Sequence, residues 1–195
     1  MTAPIPHPQY DPTSQMLVTP EDLDAPARIE RLRAIGVGNA PVAEFDAVAR
    51  DLARTLGTPY AMVNFIGPEQ QYFAGLFTPA DGQGVELGPQ QKDNDRVMAR
   101  DHGWCPHVVV RRKALVLEDV FAYRKFAGNP VIDELGIRAY IGAPLIDWNT
   151  GMALGTVCAI APEPTPWGRD GLETIKGFAQ GMVDRLREIE ERGRL

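Results

Sequence analysis

The chain has 195 residues, of which 44% are hydrophobic and 24% are charged, and its formal net charge is −6 at pH 7. That length and composition fit one globular domain with an apolar core, and they leave little room for a second domain. The negative charge argues against nucleic acid as a partner, because phosphate binding requires a positive surface. No stretch approaches the roughly 20 apolar residues of a membrane span, so we expect no membrane partner.

The first part of the sequence differs in composition from the rest. Residues 1–19 are rich in proline and have neither the basic start nor the apolar run of a signal peptide. We predict a disordered tail over residues 1–19, one folded domain over residues 20–195, and a cytoplasmic location. In a reducing compartment, the only two cysteines, Cys105 and Cys158, are expected to be free thiols.

Two amphipathic helices are predicted at the start of the folded domain. The first follows a helix-start signal, Thr-Pro-Glu-Asp at residues 19–22, and ends at Gly36. The second ends at Gly57, and its apolar residues at helical spacing are Phe45, Val48, Ala49, Leu52 and Leu56. Each helix therefore has an apolar face that must be buried.

Five strands are predicted from apolar and β-branched runs that are bounded by turn-forming residues. Residues 60–66 and 71–76 form one hairpin, and residues 138–146 and 152–160 form another. Residues 114–118 form a short strand between the two hairpins.

The remaining segments are a loop and two helical regions. Residues 77–96 are rich in Gly, Pro, Gln and Asp, which predicts a loop long enough to be functional or mobile. Residues 121–135 predict a helix that a Gly-Asn-Pro sequence breaks. The final helix begins at a capping box formed by Asp170 and Glu173 and continues past Ile189.

The order of these elements predicts the fold class. Strands that follow one another through tight turns pair as an antiparallel sheet, and the helices at both ends of the domain must cover it. The predicted class is therefore α+β, and a doubly wound nucleotide-binding fold with parallel strands is excluded.

Several segments taken together resemble the GAF domain family. They are Trp104-Cys105-Pro106-His107, the strand that ends at Asp119, Phe-Ala-Gly-Asn-Pro at residues 126–130, Gly-Ile-Arg-Ala-Tyr-Ile-Gly-Ala-Pro-Leu at residues 136–145, and Leu-Gly-Thr-Val-Cys at residues 154–158. The resemblance covers about residues 28–190. It implies a GAF/PAS-like antiparallel sheet of five to six strands, with the terminal helices on one face and a ligand-type pocket on the other.

On the family template, seven residues would line this pocket: Trp104, Cys105, His107, Asp119, Tyr123, Phe126 and Tyr140. Aromatic walls with a few polar groups suit a small-molecule site. The alternative is that these side chains only fill the space between sheet and helix, with Asp119 capping the segment after it. A cyclic nucleotide is not supported, because Phe126 and the acidic pair Asp133-Glu134 have the wrong spacing. The sequence identifies neither a ligand nor a cofactor.

The resemblance implies a stand-alone sensory or adaptor domain without catalytic activity. GAF domains typically dimerise through their terminal helices. Gly177 and Gly181 lie four residues apart on the last helix, and such small residues permit another helix to approach closely. We therefore expect a homodimer through the terminal helices and, because the chain has no output domain, a signalling partner that it contacts in trans.

A thiol enzyme is the first alternative. Cys105 lies two residues from His107, and a nearby imidazolium lowers the pKa of a thiol. Free methionine-(R)-sulfoxide reductases are a branch of the family that uses cysteines in this pocket, and Gly103-Trp104-Cys105 resembles one of their cysteine segments. The loop at residues 123–128 lacks the further cysteine of those enzymes.

The second alternative is a redox or metal switch at Cys105. A sulfenic acid at Cys105 would need Cys158 as a resolving partner. For metal, His102, Cys105 and His107 fall within six residues, and Cys158 is expected nearby. Sulfur and imidazole ligands together suit zinc, although the Cys-x-His spacing is tighter than that of the usual structural motifs.

Overall fold

A computed structural model of the chain describes residue 2 and residues 4–38, 40–79 and 96–193. These residues form the strands β1 (Tyr60–Ile66), β2 (Gln70–Phe77), β3 (Val97–Ala99), β4 (Leu115–Leu117), β5 (Ala139–Ile146) and β6 (Ala153–Ala161). They also form the helices α1 (Ala25–Ile35), α2 (Ala43–Leu56), α3 (Cys105–Arg111), α4 (Pro130–Leu135) and α5 (Gly168–Gly193). Two short 3-10 turns, Val120–Ala122 and Arg124–Phe126, lie between β4 and α4.

The strands pair in the order β3-β2-β1-β6-β5-β4, and each of these pairings is antiparallel. The predicted α+β class with an antiparallel sheet is therefore confirmed. The structure has all five predicted strands and adds β3 at one edge. With only three residues, β3 is too short to produce a periodic signal in the sequence.

The two central strands, β1 and β6, are buried along their whole length. Successive residues of a strand point to opposite faces of the sheet. Val63 and Val157 therefore face the layer of α1, α2 and α5, while Met62 and Cys158 face a second layer formed by α3, α4 and the 3-10 turns. Both faces of the central strands are therefore covered, one by the terminal helices α1, α2 and α5 and the other by the second layer.

The first helix begins later than its predicted start signal. α1 begins at Ala25 with Pro26 in its first turn. Asp22, an acid of the predicted signal, instead accepts a 2.7 Å hydrogen bond from the buried guanidinium of Arg28. Arg28 also donates to the carbonyl oxygen of Ala153 at 2.6 Å. Asp22 therefore pairs with a side chain of α1 and does not mark the start of the helix.

The last helix begins two residues before the predicted capping box. Its first residue, Gly168, has a φ of +58° and donates its backbone N–H to Glu118 Oε1 at 2.6 Å. The interaction at this helix start therefore comes from a distant segment, and Asp170 lies inside the first turn. Near the other end of α5, Glu190 accepts a 2.7 Å hydrogen bond from Arg31 of α1.

The helix α3 was not predicted, and α4 was predicted only as part of a broken helix. α3 has seven residues, and its three consecutive valines favour strands more than helices. α4 follows the predicted break, where the Asn129 side chain caps its first turn. Along the described stretches of the chain, no helix has both the length and the apolar character needed to cross a bilayer.

The N-terminal segment lies against the second layer. The backbone N–H of Leu17 donates to the carbonyl oxygen of Lys125 at 2.7 Å, and the Met16 side chain occupies the space that a Cβ at Gly128 would need. The predicted disorder of residues 1–19 and the domain boundary at residue 20 stay predictions. The predicted loop at residues 77–96 lies largely outside the described residues, since residues 80–95 are among those not described.

Substituting alanine for Gly155 tests the close packing of β6 against β1. A Cβ at this position would overlap the carbonyl oxygen of Asn64 on the neighbouring strand. We expect the Gly155→Ala variant to lower the free energy of unfolding by about 1–3 kcal/mol, measured by urea denaturation. The matched control is Gly38→Ala, because no atom lies within 4 Å of a Cβ there. Equal stabilities of the two variants would contradict this packing.

Candidate functional site

A small cavity lies between the sheet and the second layer, and we call it the core cavity. Its walls come from β1, β2, β5 and β6 on the sheet side and from α3 and α4 opposite, and they include Asn64, Trp104, Cys105, Tyr140 and Cys158. The volume of the core cavity is about 30 Å³. That volume holds about one or two water molecules.

The most reactive groups in the wall are two thiols. Cys105 is the first residue of α3, and Cys158 lies on β6, where it pairs with Met62 and Gly142 of the adjacent strands. Their Sγ atoms are 3.5 Å apart. Both cysteines are buried, and neither is part of a disulfide.

The hydroxyl of Tyr140 completes this group. It lies 3.3 Å from Cys105 Sγ. A Cβ at Gly142 would overlap this hydroxyl, so the glycine two residues further along β5 leaves the space for the tyrosine ring. The aromatic side of the wall is formed by Trp104 and Tyr140, whose ring centroids are 5.4 Å apart.

The pKa values of the two cysteines move in opposite directions. The hydrogen bond between the two sulfurs is the main reason that the pKa of Cys105 falls to about 6, and the Tyr140 hydroxyl lowers it further. The same interaction with Cys105, together with burial, raises the pKa of Cys158 well above its usual value. The contact between the two sulfurs therefore favours a negative charge on Cys105 over one on Cys158.

Two buried polar atoms of the wall residues have no hydrogen-bond partner among the described residues. They are Oδ1 of Asn64 and Nε1 of Trp104. An unpaired buried polar atom costs roughly 1–3 kcal/mol. A molecule bound in the core cavity could satisfy the Asn64 acceptor, and the Trp104 donor belongs to a residue that borders both this cavity and a neighbouring cleft.

Asn64 and Gln71 also fix the shape of the cavity, and the sequence analysis did not identify them. Asn64 Nδ2 donates to Gln71 Oε1 at 2.8 Å, and Gln71 Nε2 donates to the carbonyl oxygen of His102 at 2.6 Å. These bonds connect β1 and β2 to the segment just before α3. The signal in the sequence was a polar residue inside the otherwise apolar run of β1.

The seven predicted site residues separate into three groups. Trp104, Cys105 and Tyr140 lie together in the wall of the core cavity. His107, on α3, and Phe126 line a second cleft of about 190 Å³, which Trp104 also lines and the N-terminal segment borders. Their rings pack edge to face with centroids 5.5 Å apart.

The other two predicted residues, Asp119 and Tyr123, do not line the core cavity. Asp119 accepts hydrogen bonds from Arg138 at 3.0 Å and from the backbone N–H of Phe121 at 3.1 Å. This is the capping role that the sequence left as the alternative. Tyr123 is 39% exposed.

His107 does not serve as the imidazolium that the sequence suggested for activating Cys105. Burial is the main cause that lowers the pKa of His107 to about 4, with the nearby charge of Arg111 adding to it. The imidazole is therefore neutral at pH 7. The Cys105 thiolate is stabilised by Cys158 and Tyr140 instead.

A metal site is not formed by the histidines and cysteines that the sequence brought together. His102 pairs with Asp101 at 2.7 Å and with Glu134 at 3.2 Å. Across the part of the chain that the structure describes, no three His, Cys, Asp or Glu side chains converge on a common point.

A model of the GAF domain family matches residues 41–182. No curated protein matches the sequence. The chain is similar to the GAF domain of a phosphoenolpyruvate-protein phosphotransferase from Coxiella burnetii, with 12% identity and a TM-score of 0.58 over 89% of this chain and 98% of that chain. The chain is also similar to a free methionine-R-sulfoxide reductase from Neisseria meningitidis that was solved with its substrate. The identity is 15% and the TM-score is 0.57, over 93% of this chain and 99% of that chain. A third similar structure is that of residues 122 to 287 of a methyl-accepting chemotaxis protein. The identity is 18% and the TM-score is 0.56, over 85% of this chain and 95% of that chain.

We expect the buried, neutral His107 to make the fold less stable in acid. An unfolded histidine takes up a proton below its usual pKa of 6.5, whereas folded His107 does so only near pH 4. Stability is therefore lost as pH falls through this window, by about 2 kcal/mol at pH 5. Between pH 7 and pH 5, urea denaturation should show a smaller decrease in the free energy of unfolding for His107→Phe than for the unchanged protein. The control is His7→Phe, since His7 is exposed; an unchanged loss in His107→Phe would contradict the assignment.

Proposed function

This chain belongs to the GAF domain family, and on that premise we propose that it is a non-catalytic sensory or adaptor domain that binds a small molecule in the core cavity. The proposal includes a cytoplasmic location, where two buried thiols stay reduced. It also includes a homodimer that passes the bound state on to a signalling partner. GAF and chemotaxis proteins among the similar structures support a sensory role.

The observation that carries the proposal is the pair of unpartnered polar atoms beside an aromatic wall. Asn64 Oδ1 accepts hydrogen bonds and Trp104 Nε1 donates them, and both residues are almost fully buried. Apolar surroundings with a few directed polar groups are typical of small-molecule sites. The ligand class that fits is a compact, largely apolar molecule that has both a donor and an acceptor.

Binding of such a molecule requires the core cavity to open. Its present volume of about 30 Å³ takes no molecule much larger than water. The sheet side is formed by strands that are hydrogen-bonded to their neighbours, whereas the opposite side is formed by the short helices α3 and α4. We therefore infer that α3 moves outward with Trp104 when a ligand binds, and that this displacement is the signal.

The dimer in this proposal uses the layer of terminal helices. Gly177 and Gly181 are exposed on α5, and beyond the adjacent turns of their own helix no atom of the described residues lies within 4 Å of a Cβ placed on either. They border a shallow groove of about 380 Å³ between α2 and α5, which Val48 and Phe178 also line. A helix of a second copy in this groove would cover apolar surface that the chain itself leaves open.

Native mass spectrometry combined with thermal shift tests the proposal. We expect a dimer, and we expect a compact metabolite, either copurified or found in a library, to raise the melting temperature. Saturation at about 100 times Kd adds roughly 2.7 kcal/mol of stability. Asn64→Val should abolish the shift, whereas the exposed control Tyr123→Phe should keep it. A monomer that carries no ligand and responds to no library member would contradict the proposal.

The dimer is tested separately by two substitutions on α5. Gly181→Arg places a large charged side chain in the groove, while Gln180→Arg places the same side chain on the opposite flank of the helix. Gly181→Arg should yield a monomer in native mass spectrometry, and Gln180→Arg should stay dimeric. Ligand-induced shifts should survive in both, since the core cavity lies on the other face of the sheet.

A second candidate function is free methionine-R-sulfoxide reduction, which the thiol pair and the fold of a known reductase favour. We expect no turnover, because residues 123–128 lack the further cysteine of those enzymes. The assay supplies free methionine-R-sulfoxide and a dithiol reductant and follows methionine formation. Turnover that Cys105→Ser abolishes would establish the enzyme and overturn the non-catalytic proposal.

A further inference from the structure

The thiol pair of the core cavity has a geometry that ligand binding does not explain. Cys105 Sγ and Cys158 Sγ are 3.5 Å apart on two elements that face each other across the cavity. A disulfide bond is about 2.05 Å long. The two sulfurs therefore need to approach by about 1.5 Å, which side-chain rotation and a small movement of α3 can supply.

We propose that Cys105 and Cys158 form a reversible disulfide when the protein meets a hydroperoxide, and that this bond locks the core cavity in its closed form. The first half of the inference, disulfide formation, depends only on the two thiols. The second half rests on the proposed function, because a lock matters only if the cavity opens for a ligand.

The environments of the two cysteines give them different roles. Cys105 is 5% exposed and Cys158 is 1% exposed, so a small oxidant reaches Cys105 first. The contact between the two sulfurs lowers the pKa of Cys105 and raises that of Cys158, so the negative charge is favoured on Cys105. A thiolate is the nucleophilic form of cysteine. Cys105 is therefore the sulfur that attacks, and Cys158 is the one that resolves.

The chemistry balances in two steps when hydrogen peroxide is the oxidant. The Cys105 thiolate attacks one peroxide oxygen, the O–O bond breaks, an S–O bond forms, and hydroxide leaves with the electron pair. Cys158 then loses its proton and attacks Cys105 Sγ, so that the S–S bond forms and the S–O bond breaks. Each step releases one hydroxide; one takes up the proton from Cys158 and the other takes up the proton that Cys105 released to solvent when it became a thiolate. The sum is two thiols and one peroxide giving one disulfide and two waters. A cellular dithiol reverses the bond by exchange.

The positions of the two cysteines explain how a disulfide between them would hold the core cavity closed. α3 begins at Cys105, and Cys158 lies in the middle of β6, the strand at the centre of the sheet. A covalent link between them holds the start of α3 against the sheet. The adjacent Trp104 then keeps its place in the cavity wall, and ligand entry is blocked. Oxidation and ligand binding are thus mutually exclusive states of one site.

The first experiment detects the bond in the full-length protein. Reduced protein is treated with hydrogen peroxide, denatured and alkylated with N-ethylmaleimide, and its mass is measured by intact-protein mass spectrometry. We expect the loss of two hydrogen atoms and of both alkylatable thiols, and peptide mapping should find Cys105 linked to Cys158 within one chain. Two thiols that stay free, or a disulfide only between two chains, would overturn the inference.

Two serine variants test the assigned roles. Cys158→Ser should accumulate a sulfenic acid at Cys105 that dimedone traps, because the resolving thiol is missing. Cys105→Ser should react with peroxide at least about tenfold more slowly, because the remaining Cys158 thiol is the more buried of the two and burial favours its protonated form. Equal peroxide reactivity of the two variants would contradict the roles, even if the disulfide forms in the unchanged chain.

Hydrogen–deuterium exchange tests the lock without a ligand. Backbone amides of Val108, Val109 and Val110 should exchange at least about tenfold more slowly in the oxidised than in the reduced protein. A disulfide with unchanged exchange in α3 would refute the lock and leave the thiol chemistry standing. Conversely, a reduced protein that binds no ligand, while the disulfide still forms, would refute the proposed function alone.

Discussion

The structure depends on one constraint, which is that the central strands β1 and β6 are buried on both faces. Met62 and Ile160 lie on the face of the sheet opposite the terminal helices. Both would be exposed to water if only the terminal helices covered the sheet, and both are buried. The terminal helices cover one face, and the second layer must therefore cover the other. α3 and α4 are short, so this layer is assembled from several small pieces rather than from one long helix.

A layer that is assembled from small pieces packs less completely than a long helix on a sheet. The core cavity is the space that the pieces leave over the middle of the sheet. Into this space the sheet presents Asn64, Tyr140 and Cys158, and α3 presents Cys105. A polar and reactive group of side chains is thereby enclosed by apolar walls, where hydrogen bonds and charges act more strongly than in water. Burial alone would raise the pKa of Cys105, and the hydrogen bond with Cys158 outweighs that effect and lowers it.

The sequence predicted the elements whose periodicity is long and regular, and it failed where neighbours decide the conformation. The two hairpins and α2 follow their patterns closely. The sequence did not predict α3, because this helix has only seven residues and its three valines favour strands. Its valines Val108 and Val109 pack against the sheet in the structure. At the site, the family resemblance found Trp104, Cys105 and Tyr140. It could not indicate the 3.5 Å between Cys105 and Cys158, because that distance depends on how α3 is set against β6.

The central claim is that the core cavity is where this GAF domain receives its signal, and electron density in that cavity tests it most directly. Crystals of protein purified under reducing conditions, without added ligand or after soaking with a compact metabolite that raises the melting temperature, should show a small molecule there. The account places one of its donors about 2.7–3.2 Å from Asn64 Oδ1, with α3 displaced outward. Crystals in which α3 stays against the sheet and the cavity holds only water, while the ligand binds elsewhere, would contradict it.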